Sequence, residues 1–137
     1  MTQQNVSGAA PLTGSELAPV VKELTQDKIN GYAGASGDGN PLHIDRGFAA
    51  KSQFGGTIAH GMLILAYLSE MMTAAFGQSW LSGGRLKARF RAPARPGDTV
   101  TALGRVLRVE GGRTLCAVEC RNQRDEVLVT AEAEVRA

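Results

Sequence analysis

Thr57-Ile58-Ala59-His60-Gly61-Met62-Leu63-Ile64-Leu65-Ala66-Tyr67-Leu68-Ser69-Glu70-Met71-Met72-Thr73-Ala74-Ala75-Phe76 is the one long stretch of this 137-residue chain with apolar side chains at helical spacing. Ile58, Met62, Leu65, Leu68, Met72 and Phe76 recur at threes and fours, and Leu63, Ile64, Tyr67, Met71 and Ala75 fill much of the remaining circumference. A helix apolar on nearly every side is expected to be buried on nearly every side. Downstream the period changes to two. Leu86, Ala88 and Phe90 alternate with Arg85, Lys87, Arg89 and Arg91, and Val127, Val129, Ala131, Ala133 and Val135 alternate with mostly polar residues. Between them, 99–109 and 114–122 read as two longer strands joined by a hairpin at Gly111-Gly112, with further turns at Pro96-Gly97-Asp98 and Gln123-Arg124-Asp125. One buried helix followed by a meander of strands is an α+β fold, an antiparallel sheet wrapped around a helix.

Upstream, Val20 to Leu24 reads as a short strand. Thr25 is a candidate N-cap, with Asp27 in the first turn of a short helix through Tyr32 that Gly34 and Gly37 stop. Next comes Ser36-Gly37-Asp38-Gly39-Asn40-Pro41-Leu42-His43. Two glycines and Asn-Pro force turns there, so Asp38 and His43 are expected on a loop. A carboxylate beside a group that titrates near neutrality can handle a water molecule and its protons. That is acid-base chemistry, and it calls for no metal. A short turn of helix is expected from Asp45 to Lys51.

The same residues carry a family resemblance. An aromatic residue (Tyr32), then Ser-Gly-Asp-x-Asn-Pro-x-His, then a small residue six positions past the histidine (Ala49) resembles the signature of the MaoC-like, or (R)-specific enoyl-CoA hydratase, family. The stretch from Phe54 to Leu63, with Thr57-Ile58-Ala59-His60-Gly61 at its centre, resembles the family's second block. The two blocks cover about a third of the chain in detail. The resemblance implies a single hot dog fold, at least a homodimer with a heterodimer as a further option, and hydration of a 2-enoyl thioester or the reverse dehydration. It implies no cofactor, coenzyme A or an acyl carrier protein being the substrate's carrier.

On that basis Asp38 is the expected base and His43 its partner on the same water. Gly61 is the expected oxyanion donor, because N–H groups in a first helical turn have no internal partner and a glycine lets a thioester oxygen come close. Asn40 is expected to fix the loop or touch the water. Met62 and Leu65 are candidates to line an acyl tunnel, core packing being the competing role. His60, beside the helix start, reads equally as a structural histidine bonded to backbone or as a shaper of the pocket. Ser36 reads as a loop stabiliser, and no base is arranged to make it a nucleophile. The Arg85 to Arg91 strand could meet carrier phosphates, although a solvated charged face is the blander reading. The alternative chemistry is a hot dog acyl-CoA thioesterase. The Asp-x-Asn-Pro-x-His spacing belongs to the hydratase branch and counts against it, as an intact dyad counts against a non-catalytic thioester binder.

Composition is consistent with such an enzyme. The chain has 15 basic and 13 acidic residues, a net charge of +2 and no basic tail, which excludes the usual footprint of a nucleic-acid binder. Cys116 and Cys120 lie on a segment that alternates like a strand and so point to one face, where they read as reduced packing residues of a cytoplasmic protein. Residues 1–15 read as a flexible arm and 16–137 as one domain, with neither a membrane span nor an export signal recognisable.

Overall fold

A computed structural model of the chain describes residues 12–136. Residues 1–11 of the expected arm lie outside the described residues. Its remaining part, 12–15, runs along the sheet, where the Gly14 N–H donates to the Val106 carbonyl at 2.7 Å.

Thr25 begins the helical half as its residue type suggests. Its hydroxyl accepts from the Lys28 N–H at 3.2 Å and starts α1 (Gln26–Ser36), directly after β1 (Val20–Glu23). The helix does not stop at Gly34. A glycine inside a helix costs only about 1 kcal/mol, and termination waits for Gly37, whose left-handed φ of 80° lets its N–H close onto the Ala33 carbonyl. The segment expected to be irregular also holds one helical turn, α2 (Pro41–Ile44). Asn40 caps it, accepting from the Leu42 N–H at 2.9 Å, and Pro41 takes the first position, where its missing N–H costs nothing. His43 therefore stands on a helical turn, and Asp38 alone of the pair on a loop. Asp45 caps α3 (Arg46–Ala50) through the Phe48 N–H.

The long helix, α4 (Gly61–Phe76), is followed by a short α5 (Gln78–Gly83) that the glycines around it hid from the sequence reading. Trp80 of α5 is buried and donates its indole N–H to the Ser69 hydroxyl of α4. Strands β2 (Arg85–Phe90), β3 (Thr99–Glu110), β4 (Arg113–Arg121) and β5 (Val127–Arg136) complete one five-stranded sheet in the order β1-β3-β4-β5-β2, every neighbouring pair antiparallel. The β3–β4 hairpin turns at Gly111 and Gly112, whose φ values of 59° and 76° are those a two-residue hairpin loop demands.

The inward face of the sheet is small and smooth: Val100, Ala102 and Val106 on β3, Cys116, Val118 and Cys120 on β4, Val129, Ala133 and Val135 on β5. Against it lie Ile64, Tyr67, Leu68, Met71 and Met72 of α4. Burying each such aliphatic side chain is worth about 1.5–3 kcal/mol. The helix is thus covered along one side only. Met62 is 62% exposed and Leu63 and Leu65 are half-buried, which corrects the expectation of burial all round: a single sheet covers a single stripe. The opposite face of β2 carries Arg85, Lys87 and Arg89 in register with Glu134, Glu132 and Thr130, a solvated charged face. Both cysteines are free and fully buried, and burial pushes the Cys116 thiol up to about 11 and that of Cys120 to about 12.

Candidate active site

α1, α2 and the N-terminus of α4 meet beside the end of β2, where Phe90 lies over Gly61. Asp38, exposed, occupies the link between α1 and α2. Its backbone N–H donates to the Ser36 hydroxyl at 3.2 Å, and its carboxylate accepts from the Asn40 N–H at 3.3 Å. Ser36 and Asn40 thus both shape the loop. His43, half-buried, is oriented by the segment that precedes α4: its Nδ1 donates to the Ile58 carbonyl at 2.8 Å. A carbonyl can only accept, so a proton sits on Nδ1, which leaves Nε2 as the ring nitrogen available to the site. The His43 carbonyl in turn accepts from the Gln26 amide at 2.8 Å, and Gln26 accepts from the Thr57 hydroxyl at 2.7 Å. The Gln26 side chain of α1 and the Ile58 backbone before α4 therefore clamp α2 from two directions.

His60 directly precedes α4, at its N-cap position but without a side-chain capping bond, and is 2% exposed. Its ring stacks on His43 with centroids 3.8 Å apart and meets Tyr32 edge-on at 4.8 Å, while its Nε2 donates to the Asp38 carbonyl at 2.9 Å. Asp38, His43 and His60 each place one side-chain donor or acceptor atom within 4.8 Å of the others. Three such groups invite comparison with a metal centre. However, His43 Nδ1 and His60 Nε2 are already engaged with carbonyls, and the in-plane lone pairs of two stacked rings converge poorly on one point. A water suits the spacing better, because two hydrogen bonds of about 2.8 Å meeting at a tetrahedral angle span about 4.6 Å.

Beside His43 opens a cleft of about 460 Å³ whose apolar wall includes Phe54, Ile58, Ile64 and Phe90. Gly61 is part of that wall. A Cβ there would lie 2.7 Å from Phe90 Cε1 and 2.8 Å from Cζ, so the aromatic ring rests where only glycine leaves room. As the first residue of a 16-residue helix, Gly61 has an N–H with no acceptor among the described residues, at the positive end of the helix dipole. The structure therefore brings Asp38, His43 and Gly61 to one place. Asn40 is at the site as a cap. Met62 and Leu65 are not among the residues lining this cleft. Ile64, one turn beyond Gly61, faces it instead, and Met62 is turned outward. The sequence reading also missed Phe54, from the turns after α3, and Phe90, which the end of β2 brings over the helix start.

The profile of the MaoC like domain family matches residues 9–128, most of the chain. The chain belongs to the MaoC-like domain family. A 3-hydroxybutyryl-CoA dehydratase of Methylorubrum extorquens is 32% identical over 120 residues, which cover 84% of this chain and 74% of that protein. The 3-hydroxyacyl-thioester dehydratase Z of Mycobacterium tuberculosis is 37% identical over 91 residues, 64% of this chain and 60% of that one, so the match spans about three fifths of that relative's length. Among solved structures, an (R)-hydratase from A. caviae involved in PHA biosynthesis superposes with a TM-score of 0.78 at 29% identity, over 91% of this chain and 96% of that one. The five-stranded sheet with α4 across it is accordingly the hot dog fold of the MaoC-like hydratases. Among the described residues no helix is long and apolar enough to cross a membrane.

Proposed function

We propose that this protein is an (R)-specific enoyl-CoA hydratase, equally a (3R)-hydroxyacyl thioester dehydratase, in which Asp38 and His43 work on one water. The hydro-lyase class is that of its named relatives. The observation that carries the finer reading is the approach of the Asp38 carboxylate and a His43 ring nitrogen within 4.8 Å, beside an apolar cleft that also holds Gly61.

In the hydration direction the acyl thioester lies in the cleft with its carbonyl oxygen toward the Gly61 N–H. Asp38 takes a proton from the water as its oxygen bonds to the β-carbon. His43 holds the same water through Nε2, and the pair returns a proton to the α-carbon as the charge collapses from the thioester oxygen. Oxygen and hydrogen then add from one side, giving the (R)-3-hydroxyacyl product. Each member of such a pair is worth about 10² to 10⁴-fold, and a preorganised oxyanion donor about 10² to 10³-fold. The reading requires no cofactor beyond the carrier of the acyl group, coenzyme A or an acyl carrier protein. It includes a homodimer: Phe90 at the end of edge strand β2 and Met62 on α4 are 57% and 62% exposed in the single chain, and edge strands seek partners. The free, buried thiols suit a reducing cytoplasm.

The test follows the absorbance of crotonyl-CoA with wild type and Asp38→Asn, while free thiol is read in the same samples. Loss of conjugation without thiol release, absent in the variant, is the expected result. Thiol release would replace hydration by thioester hydrolysis, and an equally active Asp38→Asn would remove the proposed base.

A further inference from the structure

We infer that His60 is a positioning residue that ties the carboxylate, the imidazole and the oxyanion donor into one rigid unit. The inference rests on the hydratase reading above, which gives this residue no direct contact with the water or the thioester.

Burial is the first observation. His60 is 2% exposed, and its Nδ1 has no hydrogen-bond partner among the described residues. A buried polar atom without a partner is a cost that an apolar side chain of similar shape would avoid. Phenylalanine would fill the space between Tyr32 and His43 and meet both rings equally well. Packing alone does not account for a histidine here.

The second observation is what its polar edge holds. Asp38 sits between Gly37, in the left-handed region at φ 80°, and Gly39, so its backbone has little stiffness of its own. Two of its hydrogen bonds are local and long, to Ser36 at 3.2 Å and from Asn40 at 3.3 Å. Among the described residues, the bond from His60 Nε2 at 2.9 Å is the one that links Asp38 to an element beyond α1 and α2. The imidazole face does a second job. Stacked at 3.8 Å, it stops the His43 ring from tilting about its Nδ1 anchor on Ile58. Because His60 directly precedes Gly61, the residue that fixes the base and its partner is joined by a peptide bond to the N–H proposed for the oxyanion. Water-handling groups and oxyanion donor thus keep their separation without depending on the loop.

The series His60→Gln, His60→Phe and His60→Leu separates the contacts, since glutamine can keep an N–H donor, phenylalanine keeps a flat face and leucine keeps neither. With crotonyl-CoA and folded protein, kcat is expected to fall about tenfold or more in the leucine variant and less in the other two, with KM within about threefold, because misplacing catalytic groups by about 1 Å can cost 10²-fold. In an Asp38→Asn background the same leucine substitution is expected to cost less than it does in wild type, since one of the groups it acts through is already removed. A wild-type kcat in folded His60→Leu, or an equal fall in both backgrounds, would overturn the inference. If wild type hydrates no thioester, the hydratase reading fails by itself, and side-chain ¹⁵N resonances of His43 still decide the inference. A single Nδ1–H tautomer is expected in wild type and a tautomer mixture in His60→Leu, and an unchanged His43 signature would refute the positioning role.

Discussion

The first turn of α4 and its later turns belong to one continuous helix, yet they meet different surroundings. Leu68, Met71 and Met72 have no exposed surface and lie in aliphatic contact with the sheet, whereas the helix start holds a buried histidine with a nitrogen unpaired among the described residues and a glycine facing an open cleft. Polar groups that would destabilise a core are tolerable at that end because α1 and α2 pack there and the Asp38 carbonyl accepts from His60. The contrast separates stability from chemistry along a single element. The sheet holds the far end of α4 so that the near end can present unpaired groups.

The strongest way to break this contrast is to change the chemistry without touching the core. Asp38→Asn and His43→Ala are each expected to lower hydration about 10² to 10⁴-fold, while the thermal midpoint stays within a few degrees, because Asp38 is exposed and His43 only half-buried. A large loss of stability alongside the loss of rate would mean that the two regions are not separate. The converse is Leu68→Ala. Emptying a fully buried site under the sheet is expected to cost about 2–5 kcal/mol in urea unfolding, with kcat per folded molecule nearly unchanged. A folded Leu68→Ala protein with collapsed kcat would show that core packing sets the site geometry directly.

The same contrast explains what the sequence disclosed. Features set by a few neighbouring residues were legible: the Thr25 cap, the Gly111-Gly112 hairpin, the alternation that turns Cys116 and Cys120 inward, and the spacing that brings Asp38 to His43. The single turn of α2 was within reach of the same reasoning, since Asn40-Pro41 is a cap followed by a first helical residue as well as a turn. Features set by packing were not legible. Periodicity could not say which side of a helix apolar all round would face the cleft, so Met62 and Leu65 stood where Ile64 belongs. Nor does any local pattern show that the Ile58 carbonyl aims at His43, that Phe90 covers Gly61, or that His60 reaches the Asp38 backbone.

Gly61→Ala probes the boundary between the two regions. A methyl group would collide with the Phe90 ring, but the contact is with the far end of a side chain that can shift, and alanine is no worse a helix former than glycine. Stability is therefore expected to change by no more than about 1 kcal/mol. Turnover is expected to fall toward the about 10²-fold associated with losing an oxyanion donor, since the methyl and the displaced ring both crowd the approach to the Gly61 N–H. Normal kcat in this variant would move the oxyanion donor elsewhere.

The last effect belongs wholly to the buried side. An unfolded thiol releases its proton near about 8.5, but burial holds Cys116 protonated to about 11 and Cys120 to about 12, the latter helped by the Glu119 charge. Above about pH 8.5 the unfolded chain binds fewer protons than the folded one, so the thiols' contribution to stability is complete below that value and is lost as pH rises through the folded values. Tyr67, raised first by burial and then by the charges of Cys120 and Glu70, adds a loss of the same sign. The urea midpoint of wild type is therefore expected to drop between pH 7.5 and 10, and a Cys116→Ala/Cys120→Ala protein, although less stable at pH 7.5, should lose less over the same interval. Parallel slopes in the two proteins would mean that the thiols ionise alike folded and unfolded, and that the core beneath α4 admits more water than its full burial implies.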